Sequence, residues 1–218
     1  MTRVFRRYGV GARWYDVLSG ETIVYGAGRR VGVGMLDLAP GDVVVDLGCG
    51  TGLNFPLLAR AVGPEGLIVG VDRSADMLAQ ARRRAAGLPC GVVLVEADAA
   101  QLDVDAVRGA IVERTGRDRA DALVTTYALS VMRDGAEEAW RRAAGLVRPG
   151  GALLVVDMQP PVGVWRVFSP PARLACAFGG ADIRLRPWRF VRPIAERGSV
   201  RGAAVRGGHV VAVAARRA

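Results

Sequence analysis

The sequence predicts an α/β fold in which a parallel sheet is wound with helices. Five short apolar, β-branched runs alternate with stretches of helical spacing between residues 43 and 157. Three of these runs close on acids, at Asp46, at Asp72 and at Glu96-Ala97-Asp98. The first passes straight into Gly48-Cys49-Gly50-Thr51-Gly52, a loop of alternating glycines that ends where a helical pattern begins.

In chain order, the first forty residues read as a helical cap. Val17-Leu18, Ile23-Val24 and Val31-Val33-Met35-Leu36-Leu38 recur at helical spacing, and Pro40-Gly41 stops them. A strand over 43–47 follows, then a helix over 53–62, a strand over 67–72 and a helix over 75–86 with Ser74 as its cap. A strand over 91–96, a helix within 103–115 and a strand over 121–126 continue the rhythm. A helix over 134–146 then leads to a strand over 152–157. Alternation of this kind makes a parallel sheet with right-handed crossovers. After Asp157 the pattern changes. Pro160-Pro161, Pro170-Pro171, Pro187 and Pro193 punctuate a segment with a helix near 162–178 and a short one near 187–196. A hairpin closes the chain, running over 199–205 and 209–215 around Gly207-Gly208. Residues 1–218 read as one domain, with a cap over 1–40, a ligand-binding core over 41–157 and an acceptor-side region over 158–218.

Composition narrows the function classes. Half of the 218 residues are hydrophobic, enough for a sizeable core, and no apolar run approaches the ~20 residues of a membrane helix. The N-terminus is charged but lacks an apolar stretch behind the charge, so no signal peptide is read. Cys49, Cys90 and Cys176 are odd in number and form no CxxC, which predicts a reduced, cytoplasmic protein without a structural metal. All 30 basic residues are Arg. Residues 1–158 balance 19 Arg against 19 acids, whereas residues 159–218 hold 11 Arg against only Asp182 and Glu196. That imbalance fits either an anionic partner, such as the inner face of a membrane, or a solvated arginine-rich face.

A glycine loop between strand and helix lets a ligand approach the backbone, although packing alone also selects such loops. Each strand-tip acid, taken singly, fits a helix cap. Along one sheet edge together they fit a nucleoside, with Asp72 placed for ribose hydroxyls. The ordered set Asp46-Leu47-Gly48-Cys49-Gly50-Thr51-Gly52, Asp72, Glu96-Ala97-Asp98 and Arg148-Pro149-Gly150-Gly151 resembles the class I S-adenosylmethionine-dependent methyltransferases over roughly residues 8–157. Within them the chain looks closest to small bacterial enzymes of the ubiquinone/menaquinone and phosphatidylethanolamine N-methyltransferase types.

The resemblance implies a doubly wound, seven-stranded Rossmann-like sheet, mostly parallel with an antiparallel last strand, and S-adenosylmethionine as cofactor with S-adenosylhomocysteine as product. It implies that Gly48, Cys49, Gly50 and Gly52 approach the cofactor's amino-acid part, with Asn54 just beyond. Asp46 would bind its ammonium, and Arg29 or Arg30 its carboxylate. Asp72 would hold the ribose, with Arg73 and Met77 beside the adenine. Asp98 and the Ala99 N–H would meet the adenine edge. Thr126 and Tyr127 would lie where acceptor meets methyl, with Tyr15 closing the site. The implied acceptor is a small molecule, with a phospholipid as the alternative, 159–218 as the contact with an anionic membrane, and a homodimer left open. His209, the sole histidine, fits a structural role better than a catalytic one. No catalytic residue is assigned.

Two rival enzymes fit less well. A nicotinamide oxidoreductase would show G-x-G-x-x-G, and a Tyr-x-x-x-Lys pair is impossible without lysine. A nucleic-acid methyltransferase would show Asn-Pro-Pro-Tyr or an appended RNA-binding module, so no nucleic acid is expected. A binding module that keeps only the fold would have lost part of the motif set, which is intact.

Overall fold

The computed structural model describes residues 25–178 and 180–218. The expectations placed on Tyr15 and on the cap before residue 25 lie outside the described residues. Helix α1 (Gly26–Val33) comes first. Strand β1 (Val43–Leu47), α2 (Phe55–Val62), β2 (Leu67–Asp72), α3 (Ala75–Ala85) and β3 (Gly91–Glu96) then alternate. They are followed by α4 (Val104–Thr115), β4 (Ala120–Thr126), α5 (Leu129–Met132), α6 (Ala136–Ala144) and β5 (Val147–Met158). Helix α7 (Ser169–Phe178), β6 (Arg201–Val205) and β7 (Val210–Arg216) complete the order.

The seven strands form one sheet in the order β3-β2-β1-β4-β5-β7-β6. Strands β1 to β5 pair in parallel, and β7 runs antiparallel to both of its neighbours. Helices cover both faces, and this explains why the strands read as unbroken apolar runs. Val43, Val45 and Leu47 point into the core beneath α4 and α6, where Trp140 is buried. Val44 and Ile68 point to the opposite core, with Phe55 and Leu58 of α2 and Leu78 of α3. Local chemistry sets the helix ends. The Ser74 hydroxyl accepts from the Met77 N–H at 3.4 Å, as its position predicts, and Asp103 caps α4 while Gly116 ends it in the left-handed region.

The structure departs from the predicted elements in five places. Helix α1 ends at Val33, short of the stop expected at Pro40-Gly41, and β5 begins at Val147, ahead of the expected 152. The single helix expected over 134–146 is preceded by α5 and a 3₁₀ turn, because Arg133 takes a φ of 52° and breaks the run. The helix expected near 162–178 is a 3₁₀ turn over 163–168 followed by α7. Pro170 and Pro171 fit a first helical turn, where no N–H is needed, but not a helix interior. The helix expected near 187–196 is a pair of 3₁₀ turns opened by Pro187 and Pro193.

Candidate functional site

The site lies at the carboxyl ends of β1 to β4, and the glycine loop is its centre. Gly48, Gly50 and Gly52 have φ of 68°, 55° and 78°, the left-handed region that favours glycine. Their roles differ. A Cβ on Gly48 would sit 2.4 Å from Ala128 Cβ, and one on Gly52 would sit 2.6 Å from the Phe55 ring, so these two allow close packing. A Cβ on Gly50 would meet nothing within 4 Å, so this glycine leaves room in the cavity it lines. The loop is pinned from below by Gly48 and Cys49 N–H groups donating to the Val71 carbonyl at 2.8 and 3.0 Å. Arg84 of α3 holds its far side, donating to the carbonyl and hydroxyl oxygens of Thr51.

A cavity of about 370 Å³ opens above the loop, a size typical of small-ligand sites. Arg29, Gly48, Cys49, Gly50, Asp72, Arg73, Met77, Asp98, Ala99, Thr126 and Tyr127 all line it. Asp72 Oδ2 accepts from the Gly50 N–H and Oδ1 from the Ser74 N–H, each at 2.9 Å. Burial raises the pKa of this carboxyl, against those hydrogen bonds and Arg73. Asp98 Oδ1 accepts from the Ala100 N–H at 2.9 Å while the residue stays exposed to the cavity. The capping and ligand-facing readings of these acids therefore coincide. Burial, with Asp46 and Asp72 nearby, pushes the Cys49 thiol well up, so it is a small side chain in a tight loop rather than a nucleophile.

Asp46, Gly52 and Asn54 do not line the cavity; they lie behind its wall. Asn54 Nδ2 donates to both carboxyl oxygens of the fully buried Asp46, at 2.9 and 3.1 Å. Arg29 in turn donates to Asn54 Oδ1 at 3.1 Å and to the Thr126 hydroxyl. One chain of contacts thus joins the β1 tip, α2, the β4 tip and α1. Burial, opposed by Asn54 and Arg29, raises the Asp46 pKa to about 7.

The other end of the cavity is aromatic and apolar. Tyr127 holds a φ of 58°, its hydroxyl donates to the Tyr25 carbonyl at 2.8 Å, and the two rings lie 4.9 Å apart. The Arg29 guanidinium sits 5.0 Å from the Tyr127 ring centroid, within cation–π range. Ala128, Val131 and Met132 complete this wall. Beneath it Asp157, fully buried at the β5 tip, accepts from the Ser130 N–H at 3.1 Å and holds α5 in place. Burial lifts Asp157 to about 6, against hydrogen bonds from Ser130 and Met158. His209 is buried outside the cavity wall, with Nδ1 2.5 Å from the Gln159 carbonyl, which fits the structural role expected of it.

Sequence reasoning missed Val131, Met132 and Asp157. A four-residue helix carries no periodicity, so Val131 and Met132 left no signal. Asp157 did leave one, since Val155-Val156-Asp157 repeats the acid-tipped strand pattern. Among the described residues no cluster of His, Cys, Asp and Glu is able to hold a metal ion, and no helix is long and apolar enough to cross a membrane.

Comparison with known proteins places this geometry. A demethylmenaquinone methyltransferase from Desulfitobacterium hafniense is 30% identical over 171 residues, covering 72% of this chain and 62% of the relative. A 2-phytyl-1,4-naphtoquinone methyltransferase from Synechococcus elongatus is 32% identical over 134 residues, covering 61% and 53%. The chain thus spans only about half to three-fifths of these curated relatives. The fold is shared with the N-methyltransferase NodS of Bradyrhizobium japonicum, solved with S-adenosylhomocysteine. Its TM-score is 0.60 at 12% identity, with 88% of this chain and 86% of that one covered. Residues 44–151 match the family model described as a methyltransferase domain. On these residues the chain belongs to the class I S-adenosylmethionine-dependent methyltransferases.

Proposed function

We propose that this chain, acting as a single domain, transfers a methyl group from S-adenosylmethionine to a small, largely apolar acceptor held against Tyr127 and Val131. The observation that carries this reading is the order of groups along the sheet. Asp98 follows β3, Asp72 ends β2, the glycine loop follows β1, and Thr126 and Tyr127 stand at β4. Three strand spacings separate the ends of that row, about 14 Å at ~4.8 Å per step. In the cofactor the ribose joins the adenine to a methyl-bearing sulfonium, from which the amino-acid tail continues. With adenine at Asp98 and ribose at Asp72, the tail would lie along the glycine loop and the methyl would turn toward Thr126 and Tyr127. The open space at Gly50 supports the fit, because any Cβ there would fill the place of the ligand.

When bound, the cofactor supplies a sulfonium methyl that needs no further activation. What remains for the chain is to bind, orient and exclude water. Asp72 offers lone pairs that its two backbone donors leave unused, suited to vicinal hydroxyls. Arg29 faces the cavity as a partner for a carboxylate. Asp46 acts from behind, fixing Asn54 and through it Arg29 and Thr126. Tyr127, Ala128, Val131 and Met132 orient an apolar acceptor.

The quinone acceptors in the names of the two curated relatives agree with that wall. A reduced naphthoquinone is therefore the first acceptor to offer, with phosphatidylethanolamine as the comparison. Methyl transfer from labelled S-adenosylmethionine to the quinol, lost in Val131→Asp, is the expected outcome. Label entering phosphatidylethanolamine alone would contradict the apolar-acceptor reading.

A further inference from the structure

We propose that residues 162–174 form an interfacial anchor that seats this protein on an anionic lipid bilayer. Among the described residues, six exposed large apolar side chains fall within this one stretch: Val162, Val164, Trp165, Val167, Phe168 and Leu174. Val164 is 86% exposed, Val167 72% and Leu174 61%. Elsewhere only Val31 and Val112 are comparable, and each stands apart in sequence. Apolar side chains gathered in this way mark an interaction surface, whereas scattered ones do not.

The charge around the stretch selects the occupant. No acid occurs between Asp157 and Asp182, while Arg166 and Arg173 are exposed within it. Arg206, also exposed, precedes the glycine on which Trp165 rests. Valine, leucine and aromatic side chains interleaved with arginine and free of carboxylates suit the headgroup–acyl boundary of an anionic membrane.

The anchor is held firmly to the sheet. The Val162 N–H donates to the Gly207 carbonyl at 3.0 Å, and the Trp165 ring covers Gly207 so closely that a Cβ there would lie 2.5 Å from Trp165 Cγ. Its inner side reaches the acceptor end of the site. Cys176 of α7 is buried against Met158, with Sγ 3.6 Å from Sδ, and Tyr25, Tyr127 and Val131 pack on the same cluster. An acceptor dissolved in the bilayer would thus leave it beside the wall that receives it. This consequence rests on the methyltransferase reading, whereas the docking itself does not.

Flotation of the full chain with phosphatidylglycerol/phosphatidylcholine vesicles, at low and high salt, tests the proposal. The protein should float with these vesicles, less so in high salt, and weakly with phosphatidylcholine alone. Val164→Asp combined with Val167→Asp should reduce partitioning roughly tenfold or more, with circular dichroism and S-adenosylhomocysteine binding unchanged. Brominated acyl chains should quench tryptophan emission, and Trp165→Phe should remove most of that quenching. A wild-type protein that stays with the pellet at low salt overturns the anchor, as does a double variant that floats equally well. So does a double variant that turns a dimer into a monomer while partitioning normally, since the patch then joins two copies. If flotation holds but S-adenosylhomocysteine fails to bind, the methyltransferase reading falls and the anchor stands.

Discussion

The Asp72 carboxylate, at the tip of β2, accepts a 2.9 Å hydrogen bond from the backbone N–H of Gly50, in the loop after β1. An acid that lines the cavity also fixes the loop at the cavity's centre. The two features read separately from the sequence are therefore one device.

Gly50→Val separates the ligand's need for space from the protein's. The built Cβ meets no atom within 4 Å, so the side chain starts into open space, and the left-handed φ adds a cost of about 1–2 kcal/mol. Thermal unfolding should shift modestly while S-adenosylhomocysteine binding, followed by calorimetry, disappears. Retained affinity would place the ligand elsewhere.

The seat of Tyr127 is tested from α1. A Cβ on Gly28 would lie 2.3 Å from the Tyr127 hydroxyl oxygen and 2.5 Å from Val210 Cγ1. Gly28→Ala should therefore destabilise the fold by about 1–3 kcal/mol in urea unfolding, because the Tyr127 hydroxyl is held by its bond to Tyr25 and Val210 is buried. Tyr127→Phe removes the bond to the Tyr25 carbonyl and should cost about 1 kcal/mol. If the hydroxyl merely seats the ring, that variant keeps cofactor affinity and most of its turnover. A collapse in kcat alone would assign the hydroxyl a chemical role.

Asp46 makes the stability of the ligand-free protein depend on pH in a defined direction. Its folded pKa of about 7 lies above the ordinary 3.8. Between these values the folded protein keeps a proton that the unfolded chain has released, so stability falls as pH rises from about 4 to about 7 and is level above. The shift corresponds to a few kcal/mol, on the order of 1.4 per pH unit. Asp46→Asn should lessen the fall in stability between pH 5 and pH 7.5 in urea unfolding, leaving the part that the buried carboxyls of Asp157 and Asp72 contribute. Parallel slopes in the two proteins would show that Asp46 stays ionised in the fold.

Much of this architecture was legible because buried parallel strands announce themselves as apolar runs. Acids and glycines at the tips of such strands stand where an α/β sheet binds its ligand. The spacing from Gly52 to Asp72 sufficed to put both at one edge, and Gly207-Gly208 sufficed to mark the last hairpin. What the sequence hid was the difference between facing a ligand and standing behind it. Asp46 and Asp72 follow near-identical runs, yet one is sealed under Asn54 and the other lines the cavity. Only the packing of α1 and α2 decides that. The anchor was half visible. Its charge could be counted, but the exposure of Val164 and Val167 depends on how the stretch seats Val162 and Trp165 on Gly207 and Gly208.

The central claim is that the row of groups from Asp98 to Tyr127 holds S-adenosylmethionine. Calorimetric titration of the full chain with S-adenosylhomocysteine tests it most directly, with Asp72→Ala measured alongside. The predicted result is one site per chain and an affinity at least ~100-fold weaker in the variant, from two lost hydrogen bonds to a charged group at ~1.5–3 kcal/mol each. Absence of binding by the wild type, or equal affinity in Asp72→Ala, would contradict it.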